Sequence, residues 1–189
     1  MKKVVLPFVV IIFLLLVFLP FFKLQESAKK ESERIEFVGN EEYLDFLLDK
    51  LKSSRKSIKI VMFDIWFNFS DQKMNKLKDL LAEKSKEVEI KAIVDDGSFL
   101  GDKEMNQRIS VCKFLSSLGV ETKLDSYNYL THAKFVLIDD KCVLIGSTNW
   151  SWYSFNVNKE TNVFVCSSQI SDGFKKFFDD IWKEGRYCL

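Results

Sequence analysis

One stretch near the start of the chain limits the fold more than any other feature, because residues 4–22 contain no charged side chain. A helix of these 19 residues would be about 28 Å long, close to the hydrocarbon thickness of a bilayer. A cleaved signal peptide, with Lys2 and Lys3 as its basic start, is the alternative. The apolar stretch is longer than usual for a signal and no A-x-A-like site follows, so the sequence favours an uncleaved anchor.

This anchor divides the chain into three parts. Residues 1–23 hold the transmembrane anchor (or signal peptide), residues 24–34 form a charged linker, and residues 35–189 have a length typical of one domain. Lysine and arginine are nearly balanced across the span, so its orientation depends on the tendency of a short basic N-terminus to stay inside. We therefore expect a single-pass membrane protein with an extracytoplasmic domain, which would be periplasmic in a bacterium.

The domain alternates strand-like apolar runs with helical patterns. The run RIEFVG at residues 34–39 indicates a strand, and residues 44–51 place leucines at i, i+3, i+4 and i+7 of a helix. Ser70 is the expected N-cap of the next helix, and Gly119 the expected C′ residue of the one after it. Two later strands should form a hairpin at Asp139-Asp140. This order predicts an α/β fold, a mixed β-sheet flanked by helices.

Charge limits the partners of this domain. Residues 35–189 carry 22 basic and 24 acidic side chains, a net charge of −2. No overall basic field attracts nucleic acid, so any polyanion must bind at a local patch.

The cysteines indicate no metal site. Cys112, Cys142, Cys166 and Cys188 form no C-x-x-C pair, so zinc is not expected. Cys142 and Cys166 lie in strand-like runs and are better explained as small core residues than as ligands. An even number of cysteines permits disulfides without fixing any pairing.

The chemistry of the domain is concentrated around His132, the only histidine of the chain. On a strand, Lys134 would share its face. Pairing the hairpin across Asp139-Asp140 places either Ser147 or Asn149 opposite His132, depending on a shift of one residue. An imidazole, an ammonium, a hydroxyl and an amide together suit a phosphodiester, and Gly146 would let a ligand approach the backbone.

Asp139 does not fit this group. It has the opposite strand parity to His132 and lies about 23 Å from it along an extended strand. Within this strand it cannot orient the imidazole, so we expect it to fix the turn or to pair with a base elsewhere.

A single histidine near a strand start is more often structural than catalytic, but the surrounding spacing changes this interpretation. The pattern H-x-K-x4-D-x6-G-S-x-N, from His132 to Asn149, resembles the HKD signature of the phospholipase D superfamily at every defined position. Downstream, residues 158–160 resemble the N-x-E element of the same family. The similarity covers residues 34–185 and is strongest over residues 130–160.

The resemblance implies a phosphohistidine intermediate formed without metal or cofactor. It implies His132 as the nucleophile, with Lys134 and Asp139 completing the catalytic motif. Lys134, Ser147 and Asn149 would hold the phosphate. Glu160 would position an imidazole, although a surface charge on a strand is its ordinary explanation.

Longer members of the superfamily carry two motifs, whereas this chain has one. One imidazole must attack phosphorus and another must protonate the leaving oxygen, and losing the second typically costs about 10²–10⁴ in rate. We therefore expect a homodimer that joins two copies of His132 across one cleft. Short members resembling bacterial Nuc-type endonucleases and the mitochondrial cardiolipin-hydrolase/Zucchini group are built in this way.

Three functions remain open at this stage. The resemblance to short single-motif members favours the first, an anchored endonuclease that cleaves DNA or RNA. Trp150, Trp152, Tyr153 and Phe155 would either stack on bases or pack in the core. The second is a hydrolase of membrane phospholipids such as cardiolipin, with aromatic side chains at the interface. The third, a membrane scaffold with an idle phosphate site, is least consistent with the intact motif.

Overall fold

The computed structural model describes residues 33–67 and 70–188. The predicted anchor at residues 4–22 lies outside these ranges. None of the helices within them has the length and hydropathy of a membrane span. Residues from Glu33 onward form a compact unit of their own.

This unit is built from eight strands in one sheet, within the described ranges, and from helices that connect them. The strands are β1 (Arg34–Gly39), β2 (Ser57–Met62), β3 (Glu89–Val94), β4 (Glu121–Leu124), β5 (Lys134–Ile138), β6 (Cys142–Gly146), β7 (Thr161–Cys166) and β8 (Arg186–Tyr187). The helices are α1 (Asn40–Ser53), α2 (Gln72–Lys84), α3 (Asp102–Ser117), α4 (Trp152–Asn156) and α5 (Ser168–Glu184), with a 3-10 turn at Ser98–Leu100.

The strand order is β1-β7-β6-β5-β2-β3-β4-β8, and the sheet is mixed as predicted. Strands β2, β3 and β4 run parallel, whereas every other pairing is antiparallel. The carboxyl ends of β1, β2, β3, β4 and β6 therefore meet the amino ends of β5 and β7 at one edge of the sheet. We call this the site edge.

Local signals in the sequence explain most of the element boundaries. The helix predicted from leucine spacing is α1, and Gly119 ends α3 with φ +85° as expected of a C′ glycine. The N-cap of α2 was predicted wrongly. Asp71, not Ser70, caps this helix, because its carboxylate accepts the N–H of Lys73 at 2.9 Å.

The register of the β5–β6 hairpin also differs from the prediction. Ile138 pairs with Cys142, so the loop has three residues, and its Asp139 and Asp140 both adopt φ 55°. Both predicted registers are therefore wrong by one residue. The observed register would place His132 opposite Thr148, but β5 begins only at Lys134, so His132 precedes the ladder.

The sheet has a core on each face. On one face, α1, α2 and α3 bury a large cluster that includes Leu47, Leu81 and Trp150. On the other face, α5 covers a smaller cluster around Phe135 and Phe178.

Two disulfides add to these cores. Cys112 on α3 is bonded to Cys188, with Cα atoms 5.9 Å apart. Cys142 and Cys166 are bonded across β6 and β7, with Cα atoms 4.2 Å apart. All four cysteines are thus paired, which the sequence left open.

Candidate active site

The predicted phosphate-binding residues meet at the site edge. A cavity of about 580 Å³ is lined by His132, Lys134, Ser147 and Asn149, together with residues of β6 and β7. His132 and Lys134 come from the start of β5, and Ser147 and Asn149 follow the end of β6. Neighbouring antiparallel strands therefore bring together side chains that are up to 17 residues apart in the sequence.

The backbone that precedes His132 is held by two buried acids. Asp95 is fully buried and accepts the N–H of Thr131 at 2.8 Å. The hydroxyl of Thr131 donates to Asp125, which is also buried. Burial raises the pKa of Asp95 above its ordinary value, and hydrogen bonds from Gly97 and Thr131 partly oppose this shift. His132 thus follows a residue that is fixed through both its main chain and its side chain.

The imidazole itself is exposed and contacts a ring and an ammonium. The ring centroids of His132 and Phe63 are 4.4 Å apart at an angle of 57°. Nδ1 of His132 lies 3.5 Å from Nζ of Lys134. Because Nδ1 faces the lysine, Nε2 is the ring nitrogen left to meet a substrate.

Lys134 is the cation of the cavity. Its side chain is buried, its Nζ donates to the carbonyl of His132 at 2.8 Å, and the same atom lies 4.9 Å from the centroid of Phe63. Burial lowers the pKa of Lys134, while the negative charges of Glu160, Asp64 and Asp95 act in the opposite direction.

Glu160 is tied to Ser147 rather than left at the surface. Its carboxylate accepts the hydroxyl of Ser147 and, at 3.0 Å, the amide of Asn158. Asn40, the first residue of α1, holds this segment by donating to the carbonyl of Asn158 and accepting the N–H of Glu160. Glu160 therefore fixes a hydroxyl of the cavity, and the contact predicted between it and an imidazole is not among those observed.

Asn149 and Gly146 differ from each other in what they contribute. The Oδ1 atom of Asn149 is buried and has no hydrogen-bond partner among the described residues. Gly146 lines the cavity and also allows a close approach of β7, because an added Cβ would collide with Thr161 and Asn162.

The structure does not bring Asp139 to this site. Asp139 lies at the opposite end of β5, where its carboxylate accepts the N–H groups of Arg55, Lys56 and Ser57 at 2.7–3.1 Å. This arrangement agrees with the turn-fixing role expected from strand parity. Asp139 has no contact through which it could act on His132.

Several residues of the site gave no usable signal in the sequence. Asn40 is 120 residues from its partner Glu160, and Phe63 directly follows β2 in an apolar run that by itself indicates only a strand. Asp95 directly follows β3 and is 36 residues from its partner Thr131. Of the predicted aromatics, Trp150 and Phe155 are buried in the core, whereas Trp152 and Tyr153 are exposed.

The site offers no cluster of metal ligands in residues 33–67 and 70–188, where no group of three or more His, Cys, Asp or Glu side chains is arranged to hold an ion. The positive charge next to the imidazole is instead the ammonium of Lys134.

Comparison with known proteins places this geometry in a family. Residues 47–182 match the model of the family described as "Cardiolipin synthase, PLD-like domain". The chain is 27% identical over 144 residues to the mitochondrial cardiolipin hydrolase of Xenopus laevis, covering 73% of this chain and 60% of the relative. It is 25% identical over 151 residues to that of Mus musculus, covering 77% and 60%. The chain thus spans about 60% of the length of these relatives.

Solved structures show the same fold. The phospholipase D family member Nuc from Salmonella typhimurium superposes with a TM-score of 0.66 at 19% identity, covering 82% of this chain and 96% of that one. NucT from Helicobacter pylori superposes with a TM-score of 0.62 at 18% identity, covering 82% and 98%.

Proposed function

Since the chain belongs to the PLD-like domain family, we propose that it is a phosphodiesterase that acts through a covalent phosphoryl-His132. The observation that supports this most is the single cavity shared by His132, Lys134, Ser147 and Asn149. It combines a nucleophile with a cation and with the amide of Asn149, which can donate to a non-bridging oxygen; the hydroxyl of Ser147 can donate to substrate only by leaving Glu160. The ammonium of Lys134 supplies the positive charge, so the reaction needs no cofactor.

The reaction has two displacements at phosphorus. Nε2 of His132 attacks, the bond from phosphorus to one ester oxygen breaks, and that oxygen takes a proton and leaves as an alcohol. Water then attacks the phosphoryl-histidine, the P–N bond breaks, and a phosphate monoester leaves as His132 is regenerated. Each step needs a second acid–base group beside the nucleophile.

The structure supplies one imidazole per chain, so we infer that two chains share one site. A second copy has a surface on which to dock. Ile35 and Phe37 on β1 and Val163 on β7 are exposed on the face of the sheet that α5 covers only in part. Val163 also lines the catalytic cavity. A dimer across this face would bury apolar side chains and place two copies of His132 near each other.

Mixing experiments test this shared site. Wild-type chains and His132→Ala chains, carrying different tags, are refolded together and the heterodimer is isolated. We expect the heterodimer to be inactive, because either the nucleophile or the proton donor is missing. Full activity of the heterodimer, or turnover by a strictly monomeric protein, would contradict the proposal.

Among substrates, we infer that phospholipid fits the surroundings of the cavity best. The loops at the site edge are poor in cations, with Lys159 as their one lysine and no arginine within residues 63–67, 95–101, 125–133 and 147–160. A nucleic-acid backbone is held mainly by lysine and arginine. The curated relatives named above are cardiolipin hydrolases.

Endonuclease activity is the second candidate, supported by the exposed rings of Trp152 and Tyr153, on which bases could stack. Parallel assays in a chelator separate the two. We expect release of phosphate monoester or free head group from phospholipid vesicles, and no cleavage of single- or double-stranded DNA or RNA. The reverse result would make the protein a nuclease.

The disulfides bear on where this activity takes place. Both pairs, Cys112–Cys188 and Cys142–Cys166, are of the kind that persists in oxidising compartments. They support the extracytoplasmic placement that the basic N-terminus favoured, with residues 4–22 as the proposed membrane anchor.

A further inference from the structure

The exposed apolar side chains of this domain are concentrated at one edge. Of the fifteen large hydrophobic side chains that are exposed within the described ranges, nine lie in four segments at the site edge, residues 63–67, 95–101, 125–133 and 147–160. Six of them are aromatic: Trp66, Phe99, Tyr127, Tyr129, Trp152 and Tyr153. Three are aliphatic: Leu100, Leu130 and Val157. We call these nine side chains the rim.

The four segments are bonded to one another around the catalytic cavity. The N–H of Trp66 donates to the carbonyl of Trp150 at 2.8 Å, which joins the first segment to the last. The bond from Thr131 to Asp95 joins the other two. Phe63 packs on His132 and so connects the first segment to the third. The rim side chains are thus carried by segments that are joined to one another at the end of the sheet where the cavity opens, although none of the nine lines the cavity itself.

Tyr127 of the rim is contacted by a residue of the edge strand β8, which helps to fix two of the segments. The guanidinium of Arg186 on β8 lies 4.0 Å from the centroid of Tyr127 and donates to Asp96 at 3.2 Å. Tyr127 nevertheless remains 58% exposed. Tyr127 is therefore exposed although polar contacts, including one to the buried Asp96, hold its surroundings in place.

The chemistry of the rim identifies what it fits. Trp and Tyr, which join an apolar ring to a polar group, are the residues that prefer the interfacial zone of a bilayer. The aliphatic members cannot stack on bases. Within the four segments, Lys159 is the one lysine and there is no arginine, so a polyanion has few cations to meet there. The same chain contains the uncharged residues 4–22, which have the length of a membrane span.

We propose that the rim rests in the interfacial zone of a phospholipid bilayer, so that the cavity of His132 opens toward the head groups. This inference gives the proposed function its substrate surface, but the contact itself is measured without any hydrolysis. A failure of docking and a failure of catalysis are therefore distinguishable.

Tryptophan fluorescence tests the contact in the full chain. All four tryptophans lie after residue 33, so residues 1–32 contribute no signal. Trp66 and Trp152 belong to the rim, whereas Trp150 is buried and Trp182 lies on α5. The protein is reconstituted in phosphatidylcholine vesicles with or without bromine atoms high on the acyl chains, and the emission of the two samples is compared.

We expect brominated vesicles to quench the emission of the wild-type protein and of Trp182→Phe, the matched control. The double variant Trp66→Phe/Trp152→Phe should lose most of the quenching. No quenching of the wild type, or equal quenching in the double variant, would overturn the proposal. Quenching of Trp66 and Trp152 by a single-stranded oligonucleotide but not by brominated vesicles would instead identify the rim as a nucleic-acid surface.

Discussion

The two ends of β5 carry ionisable residues of opposite kind, basic at one end and acidic at the other, and they serve different purposes. At one end, His132 and Lys134 face an open cavity, and the imidazole is exposed. At the other end, the carboxylate of Asp139 accepts three main-chain N–H groups. Asp140 forms an ion pair with Lys59, which is itself buried.

The two ends differ in whether their polar side-chain atoms remain available to a substrate. Both carboxylate oxygens of Asp139 accept hydrogen bonds within the fold. Asp139 therefore stabilises the turn and joins β5 to the segment before β2. In His132, Nδ1 faces Lys134, whereas Nε2 does not. The position of the residue is fixed through the preceding Thr131, whose N–H is bonded to Asp95. A side chain whose position is fixed by its neighbours, and which still has a reactive atom without a protein partner, is suited to catalysis.

The sharpest way to test this contrast is to remove the imidazole. We expect His132→Ala to lower kcat/KM by at least about 10⁴-fold, because one substitution removes both the nucleophile and the proton donor of the dimer. The melting temperature should stay unchanged, since the side chain is exposed. A folded variant with appreciable activity would show that the catalytic end of β5 has been assigned wrongly.

Lys134 is expected to set the alkaline limit of activity. Burial lowers its pKa, so its positive charge is lost at a pH below the ordinary lysine value of about 10.4, and kcat/KM should fall there. Lys134→Arg should have a lower kcat/KM, but its kcat/KM should not fall at alkaline pH, because the guanidinium stays charged. The pH profiles of the two proteins are the measurement. An identical alkaline limb in both would assign it to another group.

At the structural end, the Cys142–Cys166 disulfide should contribute to stability alone. Replacing both cysteines with serine is expected to reduce the free energy of unfolding by about 2–4 kcal/mol. Urea unfolding measures this change, and kcat of the folded variant should match the wild type. A large loss of kcat would mean that the bond also shapes the catalytic cavity.

Asp139 should show the same separation with a smaller effect. Asp139→Ala leaves three N–H groups without their acceptor and should lower the free energy of unfolding by about 1–3 kcal/mol. Asp139→Asn is the matched variant, since its amide oxygen still accepts and Asn tolerates positive φ. If Asp139→Ala lost as much activity as His132→Ala while still folded, the contrast between the two ends would fail.

The sequence predicted the fold well because its signals are local. Period-2 runs and leucine spacing located β1, α1 and the mixed sheet, and Gly119 marked a helix end. The hairpin register could not be obtained in this way. It depends on two residues with positive φ and on a carboxylate bonded to residues 55–57, more than 80 positions away.

The site was predicted unevenly for a similar reason. His132, Lys134, Ser147 and Asn149 were found because the motif keeps them within one hairpin. The residues that hold them come from distant parts of the chain, as Asn40 and Asp95 show. Periodicity reports which face a residue takes within its own strand, whereas these contacts depend on the order in which distant strands pair.

Trapping the covalent intermediate tests the central claim most directly. The full-length protein is mixed with a phosphodiester that is hydrolysed slowly, quenched during the first turnover, digested and examined by mass spectrometry. We predict a phosphoryl adduct on the peptide that contains His132, retaining the alcohol that has not left, and none in His132→Ala. Turnover of that substrate with no adduct on His132, or with an adduct on another residue, would contradict the account.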